Sequence, residues 1–160
     1  MQRQSDNIDR DRLFSEWYDT YGTIILRMCY LYLGSRVEAE DAAQDTFVKA
    51  WIHMDNFHTH NAKATKAWLM QIAVNTCRDL LRSAAWRRTD KNVQAADILM
   101  FRAAPTEDAE LLMDVMALPE KLKQVVLLYY YQRMTIEEIA SILHVSASTV
   151  SRRLSKAEKY

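Results

Sequence analysis

The chain has 160 residues, 49% of them apolar, with 21 basic and 21 acidic side chains and no net charge. That length accommodates one domain or two small ones, and the apolar share suffices for packed cores. Charge neutrality excludes a protein that coats nucleic acid indiscriminately, and only two Gly and two Pro favour long helices with few turns. Apolar runs near residues 24–33 and 125–131 are too short or too interrupted to span a bilayer, so no membrane insertion is expected. The first residues lack the charged, apolar, small pattern of a secretory signal. Cys29 and Cys77 therefore read as unpaired core thiols of a cytoplasmic protein.

In chain order, the spacing of Leu13, Trp17, Tyr21, Ile24, Ile25, Met28, Leu31 and Tyr32 predicts a helix over residues 9–33, ended by Gly34-Ser35. A second helix, over 37–53, buries Ala39, Ala42, Ala43, Phe47, Ala50 and Trp51, with an acidic first turn that suits the helix dipole. Residues 55–65 read as a polar loop. A third helix, over 66–83, buries Trp68, Leu69, Ile72, Ala73, Thr76 and Leu80 and turns Gln71, Asn75, Arg78, Asp79 and Arg82 outward. Residues 86–104 lose the helical period. Pro105 then opens a second helical unit with segments over 109–117 and 119–131, Pro119 standing at a helix start. Tyr129 to Tyr131 read as core. The expected fold is all-α, with two small helical domains over 9–84 and 105–160 joined by a linker over 85–104.

The last segment, TIEEIASILHVSASTVSRRLSKAEK over 135–159, reads as a helix-turn-helix. Ile136, Ile139, Ala140 and Leu143 face inward on its first helix. His144 takes the tight turn, Ser146 caps the second helix, and Val150, Leu154 and Ala157 face the core. Ser148, Thr149, Ser151, Arg152, Ser155, Lys156 and Lys159 then point outward, short hydroxyls and cations that can donate to phosphates and base edges. Charge is distributed in blocks: −4 over 1–57, +5 over 58–92, −5 over 93–120 and +4 over 121–160. Two basic blocks around an acidic one suggest two nucleic-acid contacts joined by a stretch that avoids nucleic acid.

Other chemistry is poorly supported. His58-Thr59-His60, with His53 and Cys77 nearby in the chain, lacks the third-ligand spacing of a zinc motif. No nucleophile–base pair or Gly-rich phosphate loop is evident, so neither catalysis nor a cofactor is expected.

The EDAAQDTFVKAW helix, the DNF loop leading to AWL, and IAVNTCRDLLRS resemble the second conserved region of bacterial sigma factors. LPEKLKQVVLLYYYQRMTIEEIASILHVSASTVSRRL resembles their fourth region, and two such regions in about this length are similar to the extracytoplasmic-function group. The resemblance spans residues 9–159. It implies a cytoplasmic factor that binds core RNA polymerase, reads promoter DNA, touches the beta-prime clamp coiled coil and the beta flap, and is held inactive by an anti-sigma factor until a stress releases it. Asp41, Gln44 and Asp45 match the family's acidic and amide pattern for the coiled coil, and such acceptors suit Arg forks. Asn75 matches the position that reads an unstacked minus-ten base, with Arg78 and Arg82, and Lys63 and Lys66 of the loop, following phosphates. Minus-thirty-five contact is implied for Ser148, Thr149, Ser151, Arg152, Arg153, Ser155 and Lys156. Many relatives carry Arg where Ser151 stands, and Arg153 lies nearer the packed side. The acidic linker, with Asp97, Glu107, Asp108 and Glu110, is implied to pass through polymerase channels. The alternatives are a stand-alone repressor or activator using the C-terminal unit, and a metal-dependent enzyme centred on the histidines.

Overall fold

Gly34 makes the first corner of the chain, at φ 73°, a backbone region that glycine enters without a Cβ penalty. It closes helix α1 (Gln2–Leu33) by donating its N–H to the Tyr30 carbonyl at 2.8 Å. The structure is a computed structural model that describes residues 2–58, 61–83 and 109–160. Helix α1 begins seven residues before the position the apolar stripe suggests. Residues 2–8 contain no helix breaker, and Arg10 ties this arm down by donating to the Trp51 carbonyl, lying 4.4 Å over the Trp51 ring and pairing with Asp55 at 3.4 Å. Ser35 caps helix α2 (Arg36–His53), its hydroxyl accepting from the Glu38 N–H at 3.5 Å.

After a 3-10 turn at Met54–Asn56, helix α3 (Ala62–Arg82) starts four residues earlier than expected. Asn61 provides the reason: its side chain accepts from the Ala64 N–H at 2.8 Å, and Ala62, Lys63 and Ala64 are good helix formers. Lys63 and Lys66 therefore stand on a helix, not a loop. Helices α1 to α3 enclose a core that includes Trp17, Ile25, Met28, Phe47, Leu69 and Val74. Cys29 and Cys77 meet inside it as free thiols, and their hydrogen bond, with burial, pushes the Cys77 thiol up.

The C-terminal unit contains α4 (Ala109–Met116), α5 (Glu120–Val126), a π turn at Leu127–Tyr131, α6 (Ile136–Leu143) and α7 (Ala147–Glu158). In the π turn the Gln132 N–H reaches back to the Leu127 carbonyl at 3.1 Å. The wider turn shifts the register, so Leu127 and Leu128 are fully buried while Tyr129 and Tyr130 are 37% and 52% exposed. This corrects the expectation that these tyrosines are core. The linker over 85–104 lies outside the described residues, as do both domain boundaries, Asp97, Glu107 and Asp108.

The two units pack against each other through α1 with α5 and α3 with α6, and their apolar cores form one continuous cluster. Tyr32, buried at the end of α1, donates to Glu120 at 3.4 Å and accepts from the buried Gln124, both on α5. Burial raises the phenol's pKa far above its usual value, with Glu120 adding to the effect against Gln124's donated bond, so Tyr32 acts as a neutral donor.

Candidate polymerase and nucleic-acid interfaces

Helix α2 buries Ala39, Ala42, Ala43, Thr46, Phe47 and Ala50, which leaves the opposite face to solvent. Asp41, Gln44 and Asp45 are all exposed there, within one turn of each other. The same face carries Val37, Val48 and Ile52, which are 67%, 51% and 59% exposed. Beside them runs a groove of about 730 Å³ between α1 and α2, lined by Phe14, Tyr18, Gly22 and Leu26 on one side and by Phe47 and Val48 on the other. A Cβ on Gly22 would meet nothing within 4 Å, so that glycine deepens the groove. The sequence reading missed these apolar positions, although Val37, Asp41, Gln44, Val48 and Ile52 recur every three to four residues.

Helix α3 separates the residues assigned to minus-ten DNA. At about 100° per residue, Asn75, Arg78 and Arg82 share one row with Gln71, while Lys63 lies about 60–120° and Lys66 about 120–180° around the helix from members of that row. The row is half-buried at Gln71, Asn75 and Arg78 and exposed at Arg82. Its rotation is held from behind by Thr76, whose hydroxyl donates to the Ile72 carbonyl at 2.8 Å and accepts from Lys49 Nζ of α2 at 3.0 Å. The two lysines face the C-terminal unit instead. Lys63 Nζ is 3.1 Å from Glu138 Oε1, and Lys66 Nζ donates to the Gln132 carbonyl at 3.2 Å. Partial burial lowers the Lys66 pKa, against the pull of Glu138.

The helix-turn-helix forms as its residues predict. Thr135 and Glu138 make a capping box: the Glu138 N–H donates to Thr135 Oγ1 at 3.2 Å, and the Thr135 N–H donates to Glu138 Oε2 at 2.9 Å. That backbone bond, aided by Lys63, holds the Glu138 carboxyl below its usual range. His144 takes the left-handed turn at φ 56°, and Ser146 caps α7 by accepting from the Thr149 N–H at 3.1 Å. Val150 and Leu154 are buried. On the far side Ser148, Ser151, Arg152 and Ser155 fall in a sector of about 100°, all exposed, with exposed Lys156 at its edge. Thr149 and Arg153 are half-buried at the flanks, and the Thr149 hydroxyl is engaged with Ser146 Oγ at 2.9 Å.

His58 is exposed, and His60 lies outside the described residues. Among the described residues no three His, Cys, Asp or Glu side chains cluster as a metal site, and no helix is long and apolar enough to cross a membrane.

Both units match known families. Residues 17–87 match Sigma-70 region 2, and residues 110–160 match Sigma-70, region 4. The chain belongs to the sigma-70 family. It is 28% identical over 162 residues to the ECF RNA polymerase sigma factor SigW of Bacillus subtilis, with 91% of this chain and 85% of that protein covered. CnrH, solved in complex with the cytosolic domain of CnrY, is 26% identical with a TM-score of 0.67, over 93% of this chain and 84% of that one. The sigma factor RpoE of Bartonella quintana, solved with the anti-sigma factor NepR, shares the fold at 19% identity and a TM-score of 0.71, over 91% of this chain and 92% of that one. The sigma factor is thus of the extracytoplasmic-function group, a transcription initiation factor that directs core RNA polymerase to promoters rather than an enzyme.

Proposed function

We propose that the sigma factor divides this work among three surfaces, in two domains over 9–84 and 105–160. The acidic face of α2 (Asp41, Gln44, Asp45), with its apolar neighbours and the α1–α2 groove, docks on the beta-prime clamp coiled coil. Acceptors there meet Arg forks, while Val48 and Ile52 add apolar burial at the centre of the contact. The α3 row captures an unstacked minus-ten base with Asn75, whose amide both donates and accepts, and follows the strand with Arg78 and Arg82. Lys63 and Lys66 add phosphate contacts once uncovered. The outward sector of α7 lies in the major groove at the minus-thirty-five element, with Arg152 as the first choice for a base contact. The beta flap holds the C-terminal unit. Control by an anti-sigma factor in the cytoplasm belongs to the same reading, supported by the CnrH relative having been solved with a second protein bound.

The observation that carries the proposal is the recognition helix, which buries Val150 and Leu154 and leaves a cationic, hydroxyl-lined sector free. Run-off transcription with purified core polymerase is the test. Promoter-dependent initiation from an otherwise silent core is expected, whereas tight duplex binding without any effect on the core would favour a stand-alone repressor.

A further inference from the structure

We propose that Lys49 is a positioning residue for the minus-ten reader: from α2 its ammonium fixes the rotation of α3 through Thr76, and so aims Asn75. The inference rests on the reading of Asn75 as the base contact. Lys49 Nζ donates to Thr76 Oγ1 at 3.0 Å, and that hydroxyl donates in turn to the Ile72 carbonyl at 2.8 Å. The Thr76 side chain is therefore pinned from both sides, its proton committed along its own helix and a lone pair committed to the neighbouring one. Asn75 is the preceding residue on the same turn, so whatever fixes Thr76 fixes the direction of the Asn75 amide.

The surroundings give that bond its weight. Ala42, Thr46 and Ala50 flank Lys49 on the buried side of α2, and Ala73 lies one turn before Thr76 on α3. Side chains this short make shallow ridges, which set the distance between two helices but resist rotation poorly. A rotation of α3 by about 20° would carry an amide about 5–6 Å from its axis through about 2 Å, more than a hydrogen bond to a base edge tolerates. Asp45 stands four residues before Lys49, the spacing of a helical ion pair. The ammonium nevertheless turns to Thr76, and no carboxylate of the described residues pairs with it. Lys49 is half-buried and Thr76 buried, so water competes little for the bond.

Substitutions at both ends of the bond test the assignment. Lys49→Met keeps the unbranched stem and removes the donor, Lys49→Arg keeps a donor, and Thr76→Val keeps the shape and removes the acceptor. Each is made alone, and Lys49→Met is also combined with Thr76→Val and with Asn75→Ala, in the full chain bound to core polymerase. Promoter opening is followed by permanganate reactivity of unpaired thymines, on promoters varied one base at a time across the minus-ten element. Lys49→Met and Thr76→Val are each expected to slow opening on the order of tenfold and to flatten the preference at one base, with core affinity and helix content unchanged. Lys49→Arg should recover most of the rate, and neither combination should be slower than its slower single variant. If Asn75→Ala slows opening while Lys49→Met opens at the wild-type rate, or if Lys49→Arg is no better than Lys49→Met, the positioning role is overturned and the base-reading role of Asn75 stands. Effects that multiply in either combination would make Lys49 an independent contact and overturn it equally. If Asn75→Ala itself opens promoters normally, the base reader is misassigned and the positioning role falls with it.

Discussion

Asn75 is half-buried in the α3 row, held in place by the bonds Thr76 makes to Ile72 and Lys49. Because an amide reading a base edge contributes about 1–3 kcal/mol, Asn75→Ala is expected to slow open-complex formation on the order of tenfold or more. Core affinity and melting temperature should stay near wild type, and equal loss of core binding would remove the base-reading role. Arg152 is fully outward on α7. Arg152→Ala should weaken promoter binding by about 1–3 kcal/mol at one base position if it reads an edge, or uniformly across sequences if it holds a phosphate. Binding measured on a set of single-base variants separates the two. Asp45→Arg places like charge against a basic partner and should reduce core affinity severalfold, read by competition for core polymerase. The outward placement of all three follows from local helical spacing, whereas the roles proposed for them rest on the resemblance to sigma regions 2 and 4. Thr149 is not legible in this way, since only the folded cap reveals that its hydroxyl is engaged with Ser146.

At the scale of elements, the α1–α2 groove joins stability to function. Gly22 sits inside α1 with open space around it, so Gly22→Ala should stabilise the chain by about 0.5–1 kcal/mol in urea melts. Gly22→Phe should instead fill the groove, leaving the fold intact and weakening core binding; unchanged affinity would exclude the groove from the interface. The capping box of α6 gives a pH prediction. The Glu138 carboxyl is held below its ordinary value, chiefly by the Thr135 N–H, so its contribution is complete above the unfolded-state value and is lost as pH falls through the lower folded-state value. Melts of wild type and Glu138→Gln should therefore converge on acidification from pH 6 toward pH 3. The cap at Ser146 was readable from residue type and spacing, whereas those at Ser35 and Thr135 were seen only in the folded helix starts. The start of α3 was not readable either, because the polar residues around Asn61 suit a loop as well as a cap. The π turn was hidden too, since LLYYY has no period that distinguishes it from an ordinary turn of helix.

For the whole molecule, the two units are held by a continuous apolar cluster bordered by few polar contacts. Partial burial lowers the Lys66 pKa, so its charged amine costs folded-state stability, and that cost fades as pH rises through the folded-state value. Melting temperature should rise as pH climbs toward 10.5 in wild type relative to Lys66→Met. A difference that does not respond to pH would place Lys66 outside the packed contact. Salt should loosen the partly exposed Lys63–Glu138 pair without separating the units, because the apolar contact is not screened.

Local rules determined much of this protein from its residues alone: the α-helices of the described residues, the cap at Ser146, the left-handed turn at His144 and the outward sector of α7. Each depends on residues within a few positions of one another, where hydrogen bonding and side-chain period dominate. Only the tertiary structure decided which side of α3 is covered, that Tyr129 and Tyr130 face solvent, and that the two helical units rest on each other. Those outcomes depend on shape and burial between segments as distant as Lys66 and Gln132, and no periodicity within either segment encodes the other's surface.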